Sequence, residues 1–309
     1  MGQAVATYPG TRPRTIRMVW VTFAWGSCFV VIGWGLRYAP VLWFAALRAL
    51  VAGAAVVALA ARQHRRLPRS VRTWVWIGVY GVVDVAAVLG AMFAAAAGGS
   101  KGSAAVLSNA QPLLILLPAW WLYGERPTRG TAGALVLGLA GLAVVASADG
   151  SGSGVAAAVA ATGGTLLARR MAGIEVLVAT GWHLLVGGAA LVLVASALEG
   201  TPGIAWTSGF VGALLFLGLV GTAATSVAWL TEARRARLDQ LTAWTLAVPA
   251  VGLVLATALL GERPSVRTVV GLLVVLVALG VTQRTGAAQT VSAPHAHGAA
   301  SPPPMPGRS

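Results

Sequence analysis

The sequence predicts an all-α integral membrane protein, with ten transmembrane helices arranged as two inverted five-helix repeats. Three observations carry that prediction. Of 309 residues, 57% are hydrophobic and only 10% charged, with a mean hydropathy of +0.80, where a soluble domain carries about 25% charged residues. Ten apolar runs, most of them close to the roughly 20 residues a bilayer-crossing helix needs, alternate with short polar links. A tetrapeptide and several residues around it recur 137 positions further on. A soluble enzyme, a nucleic-acid binder and a disordered chain are excluded together.

The first run, 18–37, follows Arg12, Arg14 and Arg17. It is long and lacks a small-x-small cleavage site, so it reads as a retained span behind a cytoplasmic segment, 1–17. Runs 40–61, 73–97, 103–123 and 129–148 complete a first repeat, 18–148. A Ser/Gly hinge at 149–154 leads into a second repeat, 155–284, with runs at 154–171, 176–198, 208–231, 240–260 and 266–283. Barrel strands would alternate apolar and polar residues, whereas the stretch from Ala132 to Val145 is apolar all round. The remainder, 285–309, is rich in Pro, Ala, Gly and Ser and predicts a disordered cytoplasmic tail.

The net charge is +14, and 21 of the 22 basic residues are Arg. With ten spans, 17 of the 22 fall on the side shared by both termini and 4 on the other, with Arg48 inside the second span. Cytoplasmic loops carry the excess of Arg and Lys. The expected location is therefore the plasma membrane of a bacterium, multi-pass, with both termini cytoplasmic. Short Arg clusters between apolar runs do not build a nucleic-acid face. Cys28 is the one cysteine, so neither a disulfide framework nor a thiolate metal site is expected. His295 and His297 in the tail read as incidental, and no cofactor or metal is expected.

Gly124-Glu125-Arg126-Pro127 recurs as Gly261-Glu262-Arg263-Pro264. The same offset maps Pro112 onto Pro249, Gly26 onto Gly163, and Ala86-Ala87 onto Ala223-Ala224. Five spans is an odd number, so the second copy enters the membrane from the opposite face. Secondary transporters use such inverted repeats to place a site near the midplane.

Trp25-Gly26-Ser27 in span 1, Ala46-Leu47-Arg48-Ala49-Leu50 in span 2, and the two segments with Pro followed by Gly-Glu-Arg-Pro resemble the drug/metabolite transporter superfamily, EamA type. The resemblance covers about residues 18–283. It implies two inverted five-helix halves around a central cavity, with spans 5 and 10 as peripheral scaffolds. It also implies export or exchange of small metabolites or drugs. The expected partners are a small-molecule substrate, the lipid bilayer and protons, and the expected assembly is a monomer or homodimer. Glu125 and Glu262 mark the repeat. Small multidrug relatives carry protons on a first-span glutamate, but span 1 here has no carboxylate.

A charge near the bilayer centre costs at least about 2.5–3.5 kcal/mol. Arg48 and Asp84 stand roughly 12 and 20 Å below the outer face, a gap a long arginine can bridge. One reading is a structural ion pair between spans 2 and 3. The other has Asp84 taking up protons or a cationic group while Arg48 meets an anionic one. His183, beside Trp182 in span 7, carries an imidazole, a group whose ordinary pKa lies near neutrality; it reads either as a coupling group with Asp84 or as a histidine bonded to a neighbouring helix.

Span 4 carries Ser108, Asn109 and Gln111 around Pro112, and the repeat places Trp244 and Thr245 before Pro249. Mid-span proline loosens a helix, so Pro112 and Pro249 are expected helix breaks and these polar residues expected cavity lining. They could equally hydrogen-bond across helices, for about 0.6 kcal/mol each. Trp25, Ser27, Trp182 and Thr222 complete the expected substrate cavity. Most of the twelve tryptophans lie at span ends, where an aromatic belt forms.

The leading functional expectation is a secondary transporter that exports small amino-acid-like metabolites or amphipathic drugs, not an enzyme. A membrane-embedded enzyme would need converging acids, bases or ligands. A sodium-coupled ten-helix carrier would need unwound helices richer in polar groups. Gly98–Ser103 is no phosphate loop, because Lys101 is followed by Gly and no strand precedes it.

Overall fold

The computed structural model describes residues 14–114, 129–149, 152–168, 174–233, 244 and 247–291. Every regular element among them is a helix. In chain order they are α1 (Thr15–Gly35), α2 (Val41–Arg62), α3 (Val71–Gly98) and α4 (Lys101–Ser108, then Gln111–Leu114). The series continues with α5 (Arg129–Asp149), α6 (Gly152–Ala168), α7 (Val176–Leu198), α8 (208–233), α9 (Ala247–Leu260) and α10 (Val266–Val291). Of these, α1, α2, α3, α7 and the greater part of α8 are long and apolar enough to cross a membrane by length and composition.

The observed helices fall within a few residues of the predicted spans wherever they are described. Two boundaries differ. Gly152 and Gly154 are already helical, so the link between the halves is shorter than the expected hinge. The segment from Thr285 to Val291, assigned to the tail, continues α10. Its Ala287, Ala288 and Gln289 are good helix formers, and the first proline comes only at Pro294. The rest of the tail, His295 and His297 included, lies outside the described residues.

Polar side chains begin several helices by taking up backbone N–H groups that have no helical partner. Ser100 accepts from Ser103 N, Glu175 from Val178 N, and Thr207 from Phe210 N. Packing between the repeats then runs round a ring: α2 on α7, α7 on α3, α3 on α6, α6 on α4, α4 on α9, α9 on α1, α1 on α8, and α8 back on α2. Exchanging each helix for its repeat mate, α1 for α6 through α5 for α10, maps that ring onto itself. Helices α5 and α10 pair with each other beside α4, the peripheral position the resemblance implies. Gly53, Gly181 and Gly188 bring the α2 and α7 backbones close, the usual device where lipid supplies no hydrophobic drive.

The sequence reading did not foresee one feature. Helices α3 and α8 each contain a π-helical stretch, Gly81–Ala87 and Phe216–Ala224. Shifted by 137, the first falls on 218–224, inside the second. Such widened turns are rare and concentrate at functional sites.

Candidate functional site

Each widened turn meets an ionisable side chain from a neighbouring helix. Arg48 on α2 is only 4% exposed. Its Nε donates to Thr222 Oγ1 at 2.8 Å, and its Nη2 donates to the Gly221 carbonyl at 3.4 Å and to Cys28 Sγ at 3.6 Å. The Thr222 hydroxyl in turn donates to the Leu217 carbonyl, five residues back, at 2.9 Å. Two carbonyls of the α8 widened turn are thus satisfied by side chains. The Phe93 ring of α3 lies 5.8 Å from the guanidinium carbon, within cation–π range.

The second site is built on the α3 widened turn. Asp84 Oδ2 stands 3.8 Å from His183 Nε2 of α7, and Tyr80 sits beside the carboxyl from the preceding turn. The Tyr80 and His183 rings lie 4.7 Å apart, and the carboxyl presses on the α6 backbone at Gly164. His183 Nδ1 is 2.9 Å from the Ala179 carbonyl. A carbonyl only accepts, so Nδ1 carries the hydrogen and Nε2 is the atom that faces Asp84.

Of the two readings of Arg48 and Asp84, the structural ion pair is therefore corrected. Each residue reaches away from the other, Arg48 toward α8 and α1, Asp84 toward α7 and α6. Depth alone permitted the pair, but the ring places α2 next to α8 and α3 next to α6.

The remaining predicted residues are distributed as follows. Helix α4 does break, at Asn109 and Ala110, and Pro112 is the second residue of the short helix Gln111–Leu114. Asn109 Nδ2 donates back to the Ala105 carbonyl at 2.8 Å, and Ser27 Oγ to the Ala24 carbonyl at 2.9 Å, so both serve their own helices. Ser108 Oγ is buried without a hydrogen-bond partner. Trp25 packs at 5.2 Å against Trp229 of α8 with the rings tilted by 48°, and Trp182 meets Trp74 edge-on at 5.1 Å. The Trp244 carbonyl accepts from Thr22 Oγ1 at 3.3 Å, and Pro249 is buried in the first turn of α9. Thr245 and Glu125 lie outside the described residues.

Glu262 has a role that the repeat signature did not reveal. Its two carboxylate oxygens accept from Lys101 N at 3.0 Å and Gly102 N at 3.2 Å, capping the start of α4 from across the repeat boundary. Gly261, at φ +66°, supplies the left-handed turn that ends α9 and aims Glu262 there. Glu262→Ala is expected to lower stability by about 1–2 kcal/mol, read as an earlier thermal midpoint in detergent, with Glu262→Gln intermediate. An unchanged midpoint in the alanine variant would show that the cap carries no weight.

Two grooves flank α8. One, of about 500 Å³, runs between α2 and α8 beside Ala55, Leu59, Val227, Thr231 and Arg17. The other, of about 530 Å³, lies between α1 and α8 beside Trp34, Arg37, Tyr38 and Phe216. None of the predicted cavity residues lines either groove; Arg48, Thr222 and His183 are buried between helices. Arg17 pairs at 2.7 Å with fully buried Glu232 where α1 meets the end of α8, and Glu199 caps the start of α2 through Leu42 N at 3.0 Å.

The model of the EamA-like transporter family matches this chain twice, over residues 16–147 and 151–283. The chain belongs to that family. It is similar to a WAT1-related chloroplast protein of Arabidopsis thaliana, 29% identical over 276 residues that make up 83% of this chain and 66% of that protein. It is also similar to an uncharacterized transporter of Synechocystis, 25% identical over 79% of this chain and 81% of the relative. The uncharacterized transporter YvbV of Bacillus subtilis is 22% identical over 92% and 96%. A solved crystal structure superposes at a TM-score of 0.65 with 19% identity, over 90% of this chain and 98% of the other. As an EamA-like transporter, the chain has the ten-helix, two-repeat fold of the drug/metabolite transporter superfamily.

Proposed function

We propose that this transporter exports small amino-acid-like or amphipathic metabolites by alternating access between its two halves, driven by proton exchange at Asp84 and His183. One observation carries the proton assignment. Because Nδ1 of His183 is committed to the Ala179 carbonyl, the gap between Nε2 and Asp84 Oδ2 is favourable only with a proton in it, as imidazolium against carboxylate or carboxylic acid against imidazole. With that proton lost, two lone-pair-bearing atoms face each other at the junction of α3, α6 and α7. Proton uptake and release therefore change how tightly a helix of one repeat holds two helices of the other. The self-mapping ring supports the exchange of one open shape for its mirror, and the burial of Arg48, Thr222 and His183 between helices fits a closed stage of that cycle.

Flux measurements in proteoliposomes test the proposal. Wild-type protein is expected to drive efflux of amino acids or dyes along an imposed pH gradient. Asp84→Asn should retain exchange of labelled for unlabelled substrate and lose the pH-driven component. An Asp84→Asn variant as pH-responsive as wild type would remove the proton role.

Orientation follows from the arginines. Tags at both termini and in the Arg62–Arg72 loop are expected to report cytoplasm, and a tag at Gly150–Gly154 the outside. A cytoplasmic report from the link would overturn this topology.

A further inference from the structure

We propose that the Arg48 guanidinium is the counter-charge for a carboxylate group on the transported molecule, an inference that rests on the chain carrying small metabolites. No acidic side chain among the described residues pairs with Arg48. Its Nε and Nη2 are engaged by neutral acceptors only, two oxygens and a thiol sulfur. Its Nη1 is buried with no hydrogen-bond partner. A guanidinium presents five donors in a fork matched to a carboxylate, and ionised acceptors bind it about twice as strongly as neutral ones. This arginine is short of one acceptor and one negative charge.

An independent observation falls at the same depth. Among the described residues, the other buried side-chain polar atom without a partner is Ser108 Oγ. Ser108 stands seven residues after Lys101 at the start of α4, and Arg48 seven residues after Val41 at the start of α2. Both helices start from the same face, which puts both residues roughly 10 Å below it. Both helices also pack on the Val88–Gly98 part of α3. The proposed carboxylate lies in this layer. One oxygen accepts from Nη1, and the second accepts from Nη2 in place of the weak Cys28 contact, while the Ser108 hydroxyl is free to donate to the ligand. The α8 widened turn holds the fork in position through Gly221 and Thr222.

The test uses the purified full-length protein, titrated with sodium acetate, benzoate or indole-3-acetate against benzamide and sodium chloride at matched ionic strength, with the unfolding midpoint as readout. At least one carboxylate is expected to raise the midpoint saturably, while benzamide and chloride do not. Arg48→Gln should lose the shift, and Arg48→Lys, which keeps the charge without the fork, should weaken binding by about tenfold or more. Should Arg48→Gln fail to fold, Thr222→Val supplies the same test by loosening the fork, and must weaken carboxylate binding. The proposal is overturned by an equal response to chloride or benzamide, by no response to any carboxylate, or by an Arg48→Gln protein that still responds. Proteoliposome flux separates this from the transporter reading. Dye flux without carboxylate binding removes the site alone, and carboxylate binding without flux of any compound removes the transport cycle alone.

Discussion

Gly187→Leu is expected to leave little or no folded transporter in the membrane. A Cβ at Gly187 would meet the Gly81 carbonyl oxygen and the Val85 side chain, and one at Gly81 would lie 2.5 Å from the His183 carbonyl oxygen. These are backbone contacts between α7 and the α3 widened turn, so no side chain can swing aside to make room. Overpacking a core costs about 1–3 kcal/mol when neighbours can adjust, and a clash with backbone belongs at or beyond the upper end. Gly212→Leu is the control, because a Cβ there meets nothing within 4 Å. Comparing the folded fraction of the two variants by size-exclusion profile checks the claim. Gly187→Leu protein as monodisperse as Gly212→Leu would show that α3 and α7 do not meet as closely as described.

Arg48→Ala and Asp84→Ala are each expected to abolish net transport, and the double substitution should rescue neither transport nor stability. A direct buried ion pair predicts the opposite: removing one partner strands the other at about 3–5 kcal/mol, and removing both recovers most of it. Here the two residues share no partner, since Arg48 bonds Thr222, Gly221 and Cys28 while Asp84 meets Tyr80 and His183. Separate sites add to within about 0.5 kcal/mol. A cycle run on Asp84 and His183 should instead show coupling above that level. Recovery of stability in the Arg48→Ala, Asp84→Ala protein would restore the pairing that the sequence suggested.

Span positions and the repeat were legible because each depends on local composition or on a fixed offset between residues, whereas the peripheral place of α5 and α10 came only with the family resemblance. The break in α4 was legible for the same reason: Ser108, Asn109 and Pro112 announce it within one turn. Partnership was not. Depth along a span can be counted from Val41 or Gly98, but which neighbour a side chain turns toward depends on the order of helices around the ring. Arg48 was therefore matched to the nearest opposite charge, not to Thr222, a neutral residue 174 positions away. Thr222 itself was legible only as one polar residue in an apolar span. The widened turns left no trace either, because Gly81 and Gly218 look like ordinary small residues in membrane helices. Glu262 was visible as half of a signature, but its work depends on helix α4 lying beside the end of α9.

The paired widened turns also bear on ancestry. The offset of 137 is unbroken from Gly26 and Gly163 ahead of the two turns to Pro112 and Pro249 beyond them. Neither copy has gained or lost a net residue relative to the other across that interval, so the looser winding holds equivalent places in both halves. What differs between the halves is the charge placed against it. One half carries a carboxyl at Asp84, while the equivalent position in the other is Gly221, whose bare backbone receives an arginine from the first half. A duplicated scaffold that began symmetric has become a molecule with one acidic and one basic pole.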